Sequence, residues 1–216
     1  MTMKEARELT GGLSNPSKMP GKGYSLPPSA CPTGAWLRRT TGSVCNGCYA
    51  CKGRYNFNNV QEAMRRRLAS LTDTLHTTWV EAMTLLIKKD GCPWFRWHDS
   101  GDLQSYDHLC RICRVCEATP EVHYRLPTRE YSIVFRYLKY NEIPKNLTIR
   151  LSAFMVGETV PFELDNLPLA ASMVFKEDSE VPEGAFICPA TTERHECGDC
   201  RYCWGRANKC VAYKAH

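Results

Sequence analysis

Eight of the thirteen cysteines in this 216-residue chain stand in two groups, one near each end. The first is Cys31 followed by Cys45-Asn-Gly-Cys48-Tyr-Ala-Cys51, and the second is Cys188 followed by Cys197-Gly-Asp-Cys200-Arg-Tyr-Cys203. A three-residue step lets one loop wrap a metal centre and turn successive sulfurs inward. Thiolate is the donor that zinc and iron–sulfur clusters take. A chain of this kind must bring two irregular segments to defined places, so the regular elements between them have to serve as a scaffold.

Cys31, Cys45, Cys48, Cys51, Cys188, Cys197, Cys200 and Cys203 are the candidate metal ligands. A zinc ribbon shows two separated Cys-x-x-Cys pairs, whereas consecutive knuckles are like the cluster-binding runs of ferredoxins. The expectation is one or two 4Fe–4S clusters, with zinc as the alternative. Two separate sites are the leading expectation, one four-cysteine site drawn from both ends is the alternative, and Cys210, His195 and His216 are spare donors. A third run, Cys110-Arg-Ile-Cys113-Arg-Val-Cys116, falls in a predicted helix beside Leu109, Ile112 and Val115. Three residues turn a helix by about 300°, so these sulfurs drift around its surface and read as small buried hydrophobes. Cys92, between Gly91 and Pro93, reads as a turn or core residue.

Length suits one domain over 1–216. It comprises a cysteine-containing loop region at 1–58, a βα core at 59–190 and a cysteine-rich tail at 191–216. The net charge of +5 permits a polyanionic partner without demanding one. No apolar run is long enough to span a bilayer, and Met1 to Arg7 lacks a signal-peptide core. The expected place is the cytoplasm, with no membrane partner. Thiols stay reduced there, which together with the odd cysteine count argues against a disulfide framework.

Residues 8–58 are rich in Gly, Pro, Ser and Asn and read as ordered loop. Asn59 is the expected cap of a long helix from Val60 to about Lys89, with a break in the threonine-rich stretch from Thr72 to Thr78. Strands are expected at Trp94–His98, Val122–Leu126, Leu147–Ser152, Ala171–Lys176 and Ala185–Cys188, and a further one before Cys31 would add to these. Helices are expected at Leu103–Ala118 and Glu130–Lys139. Such alternation makes an α/β fold: a partial (β/α) barrel or an open parallel sheet, with a long N-terminal loop and a cysteine-rich C-terminal tail. A full eight-fold barrel takes about 250 residues, too many for a chain with loops this long.

Three of these strands share a pattern. Side-chain alternation puts Phe95, Trp97, Tyr124, Leu126, Ile149 and Leu151 on one face and Arg96, His98, Arg125, Arg150 and Ser152 on the other. Buried arginines need anions or hydrogen-bond partners. The polar face therefore suggests a pocket for a small anionic ligand such as a carboxylate, phosphate or nucleotide. It would be completed at the strand ends by His98, Asp99, Ser100, Asp102, Arg129, Arg150 and Ser152. The bland alternative pairs these arginines with Asp99, Asp102 and Glu130. The turn Arg65-Arg66-Arg67, with Arg201, Tyr202, Trp204, Arg206, Lys209 and Lys214, also raises a zinc-stabilised nucleic-acid-binding protein, although a solvated surface explains these residues more simply.

The segments Gly11-Gly12-Leu13-Ser14-Asn15-Pro16-Ser17-Lys18-Met19-Pro20, Ser43 to Ala50, Phe95 to Leu103 and Leu126-Pro127-Thr128-Arg129-Glu130 resemble the bacteriophage "gene product 88"-like family. The likeness runs on through Cys188-Pro189-Ala190 and Cys197 to Arg201, and implies a phage or prophage origin. A looser resemblance is to radical S-adenosylmethionine enzymes. It implies a partial barrel, a 4Fe–4S cluster on three cysteines after the first strand, and a Gly-Gly-Glu-like turn for the cofactor's amino group, matched here by Ser100-Gly101-Asp102. Arg150 and Ser152, on a later strand, would supply further contacts to that cofactor. The chain departs from that pattern in having two residues in both cysteine gaps, in its shortness, and in Cys51 or Cys31 as a fourth thiolate that could fill the open iron position.

Overall fold

A computed structural model describes residues 1–215. Seven parallel strands form one open sheet: β1 (Lys22–Tyr24), β2 (Trp94–Trp97), β3 (His123–Thr128), β4 (Leu147–Ser152), β5 (Ala170–Phe175), β6 (Phe186–Ile187) and β7 (Cys210–Lys214). Their spatial order is β1-β2-β3-β4-β5-β7-β6, so β1 and β6 are the edges and no barrel closes. Of the two architectures the sequence allowed, the open sheet is the one formed.

The helices are α1 (Met3–Thr10), α2 (Pro32–Leu37), α3 (Asn58–Asp73), α4 (His76–Asp90), α5 (Tyr106–Ala118), α6 (Tyr131–Leu138) and α7 (Pro189–Thr192). The long helix does break where expected: Thr74 is extended and its hydroxyl is held by the Leu9 carbonyl at 2.8 Å. The cap differs, because Asn59 lies inside α3 and Phe57 occupies the capping position without a side-chain hydrogen bond. Helix α5 starts later than expected, at the point where the Ser105 hydroxyl accepts from the His108 amide.

Trp79, Met83 and Leu86 of α4 and Leu109, Ile112 and Val115 of α5 pack with Phe95, Trp97, Tyr124, Leu126, Ile149 and Leu151. Cys113 and Cys116 are buried in the same core, as apolar side chains. Pro127 is tolerated in β3 because the ladder to β2 ends at Arg125.

The opposite face is covered by the tail. Parallel neighbours cannot be joined by a tight turn and need a crossover of a dozen or more residues. Between β6 and β7 that crossover is residues 188–209, the cysteine-rich segment. It lies over β3 and β4: Thr148 donates to the Trp204 carbonyl, and Arg150 to those of Cys203, Gly205 and Asn208. The tail, expected to be loop and turn throughout, therefore ends in a strand inserted between β5 and β6.

Candidate metal centres

The first cysteine group sits in the crossover from β1 to β2. Each cysteine of the run closes a tight turn on its predecessor, with the Cys48 amide on the Cys45 carbonyl (3.2 Å) and the Cys51 amide on that of Cys48 (3.1 Å). The three-residue step is thus a chain of turns presenting successive sulfurs. Cys31 precedes α2 and comes back to this loop. A methyl group at Gly34 would stand 2.8 Å from the Cys31 Cβ, so the glycine lets α2 pack against Cys31, and the Cys31 and Cys45 sulfurs lie 3.6 and 3.7 Å from that same point. Burial pushes the Cys31 thiol up, and Asp102, Cys48 and Cys45 push it further. Burial also raises Cys45 and Cys51, with Cys48 a neighbour of each.

This loop is fastened to the carboxyl end of the sheet. The Val44 amide donates to the Phe154 carbonyl just beyond β4. Asp99 accepts from Ser25 and from Tyr55 at 2.9 Å, while its carbonyl takes the Tyr49 hydroxyl. The Tyr49 ring is half exposed, but its hydroxyl end is tucked in. The Ser100 hydroxyl donates to the Leu26 carbonyl, and Glu130 accepts both the amide and the hydroxyl of Thr33. Asp102 accepts from Thr128, from the Arg129 amide and from the Leu103 amide, and burial raises its carboxyl to about 6.

Of the polar residues expected to line a pocket, Asp99, Ser100, Asp102 and Arg129 are brought beside the first cysteine group, where their hydrogen bonds go to the protein itself. His98 leaves the polar face. Its φ of 58° breaks the strand alternation and turns the ring toward His108 of α5, with centroids 5.1 Å apart. Ser152 pairs with Ser172. Arg150 is fully buried, and its guanidinium is spent on the carbonyls of Cys203, Ala171, Asn208 and Gly205.

Cys188, Cys197, Cys200 and Cys203 together line one narrow pocket of about 10 Å³, with Phe186, Pro189, Ala190 and Val211. The turn repeats the first group's logic, the Cys200 amide closing on the Cys197 carbonyl at 3.0 Å. Cys188 is fixed by Ala212 of β7, and Cys197 by Lys18 of the N-terminal segment. No cysteine of the first group lines this pocket, so the ends supply two groups rather than one. Beneath it stands Arg125, with its guanidinium 5.5 Å from the Tyr213 ring centroid and bonded to the Tyr213 hydroxyl.

All thirteen cysteines are free. Among the described residues no three His, Cys, Asp or Glu side chains converge on one point as ligands of a single ion. The thiols are gathered around two places without meeting. Their donor chemistry suits a thiolate-bound group at each: the Cys31 and Cys45 sulfurs lie within 3.7 Å of one point in the first place, and all four thiols line one narrow pocket in the second. Of the spare donors, His195 is exposed, Cys210 begins β7, and His216 lies outside the described residues.

The sequence pattern of the family described as Gene product 88 matches residues 2–206. The chain belongs to that family. The family's name points to a bacteriophage origin. Comparison with curated proteins and with solved structures returns no match, so the looser likeness to radical S-adenosylmethionine enzymes gains no support from either. No helix among the described residues is long and apolar enough to cross a membrane.

Sequence reasoning overlooked Thr33, Tyr49, Tyr55, Glu130 and Tyr213 as neighbours of the cysteines. Arg125 was legible as a polar-face residue, but nothing local showed that the tail would lie on it. The basic turn was read too simply, because Arg67 is buried and donates to the carbonyls of Gly12, Leu13 and Ser25.

Proposed function

We propose that this is a phage-encoded iron–sulfur protein that carries electrons. One 4Fe–4S cluster would be held by Cys31, Cys45, Cys48 and Cys51, and a second by Cys188, Cys197, Cys200 and Cys203. The observation that carries this reading is that each crossover gathers four thiols in its own place. A bound cluster supplies one-electron chemistry. Four thiolates around each would leave no iron free, which favours electron transfer over catalysis. The chain's own residues hold the ligand loops: Asp99, Ser100 and Glu130 tie the first to the sheet, and Arg150 ties the second. The reading requires a reducing compartment, hence the host cytoplasm.

A second reading is radical chemistry with S-adenosylmethionine on a small anionic or nucleotide substrate. It is supported by the cysteine loop following β1, by Ser100-Gly101-Asp102 following β2, and by Asp102 lying near Cys31 and Cys45. Release of Cys31 would leave three ligands and one open position. Zinc sites in a nucleic-acid-binding protein are less favoured, because the arginines of the basic turn and tail are partly used internally: Arg67, Arg201 and Arg206 all donate to backbone carbonyls.

Anaerobic purification and reconstitution decide among these readings. The expected result is a brown protein with about eight iron and eight sulfide per chain. A colourless protein with stoichiometric zinc sinks the iron–sulfur reading. Methionine and deoxyadenosine formed under reduction would replace electron transfer by the radical reading.

A further inference from the structure

Arg125 is 5% exposed and lies on the face of the sheet covered by the cysteine tail. The turn Tyr202–Trp204, which carries Cys203, packs on its strand, and Tyr213 and the sulfurs of Cys203, Cys188 and Cys197 face its charge, while its register partner Arg96 and Arg150 add further positive charge on the same side. None of the five ion pairs among the described residues includes it. Its Nε is buried without a hydrogen-bond partner, and its bond to the Tyr213 hydroxyl brings no charge. Arg96, also beside Cys197, has an unpartnered Nε as well and donates to the Met19 sulfur.

A buried cation without a counter-charge is costly. Arginine does not escape by losing its proton, and a buried Tyr213 keeps its own. None of the ion pairs among the described residues supplies the missing charge. Four thiolates around a dicationic centre, whether a 4Fe–4S cluster or a zinc ion, carry a net charge of about −2 by formal counting.

We infer that Arg125 is the built-in counter-ion of a net-negative metal–thiolate centre on Cys188, Cys197, Cys200 and Cys203, and that it sets that centre's stability and reduction potential. This rests on the reading that the four cysteines hold a metal, and it adds which residue tunes them. Arg125 is a positioning and tuning residue here, with no part in ligation. A positive charge beside a cluster favours the electron-rich state, so removing it makes reduction harder.

The test uses the full chain, purified and reconstituted anaerobically, as wild type, Arg125→Met, Arg125→Gln and Arg125→Lys. Iron and sulfide counts, circular dichroism and a potentiometric titration followed by electron paramagnetic resonance are recorded for each. The expected result is two cluster signals in the wild type. One moves to a more negative potential in the Met and Gln variants, or is lost with about half the iron while the fold persists. The Lys variant stays near wild type and the other signal does not move. Unchanged potentials and metal content in the neutral variants overturn the inference while leaving the iron–sulfur reading intact. A wild type that binds no metal overturns that reading itself. If the metal proves to be zinc, the readout becomes retention against a chelator, with at least tenfold weaker binding expected in the neutral variants and equal retention counting against the proposal. Should Met fail to fold, Gln, which can still bond to the Tyr213 hydroxyl, supplies the comparison.

Discussion

His98 and His108 form a buried pair in which neither nitrogen of the first ring, nor Nε2 of the second, has a partner. Burial is the main cause holding both below the ordinary imidazole value, His108 at about 3. Unfolding frees them to take up protons below about pH 6.5. Their contribution to stability is therefore full above that pH and is lost as pH falls toward the folded values. Asp102 acts oppositely. Burial raises its carboxyl to about 6, so the folded chain keeps a proton that the unfolded chain has lost, and stability falls as pH rises through that window. Two histidines against one carboxyl leave about one net proton between roughly pH 4 and 6, a slope of about 1.4 kcal/mol per pH unit. Urea denaturation of the metal-free chain at stepped pH should show the midpoint falling on acidification. His108→Phe should nearly flatten the profile over that interval, and an unchanged slope would remove these histidines as the cause.

The elements that bear the two cysteine groups are crossovers, and what fastens them is side chain to backbone. Arg150 is the clearest case, since it ties the tail's Cys203, Gly205 and Asn208 carbonyls to β4. Arg150→Met keeps much of the bulk and strands those acceptors, at a cost on the order of 3 kcal/mol. Limited proteolysis should then cut between residues 189 and 209 before it cuts β2 to β4, and a variant as resistant as wild type would count against this role. At this scale the sequence was legible where alternation and apolar content were strong. The expected Leu147–Ser152 strand is β4 without revision, and β2, β3 and β5 shift by a residue or two at their ends. It was illegible where packing supplies the stability. Helix α1 has eight residues and buries little beyond Ala6 and Thr10, so its capping box of Thr2 and Glu5 holds a helix that only contact with α3 and α4 can keep. Strand β7 begins with a cysteine near the chain's end and gains its ladder from β5 and β6, the nearer of them separated from it by residues 188–209.

For the molecule as a whole, the two cysteine groups proposed as ligands sit outside the helix-covered core. Metal removal should therefore loosen both crossovers without melting the sheet. Hydrogen exchange of the metal-free and reconstituted chains should show faster exchange at residues 31–57 and 188–209 in the first, with β3 and β4 equally protected in both. Global loss of protection would mean that the metal centres, and not the apolar face, hold the fold.

The sequence by itself determined the two cysteine groups and much of their local presentation, because in Gly- and Asn-rich loop a three-residue step closes backbone turns, from Cys45 to Cys51 and from Cys197 to Cys200, whereas the same step amid apolar residues is helix α5. It also determined an alternating α/β core, since periodicity is a local property of apolar side chains. Only the tertiary structure decided that the ends form two groups and that the tail is the β6–β7 crossover. It alone set Asp102 beside Cys31 and Cys45, and Arg125 beneath the C-terminal thiols. Those are meetings of polar groups far apart in the chain. Their energy depends on burial and distance, which spacing along the sequence does not carry.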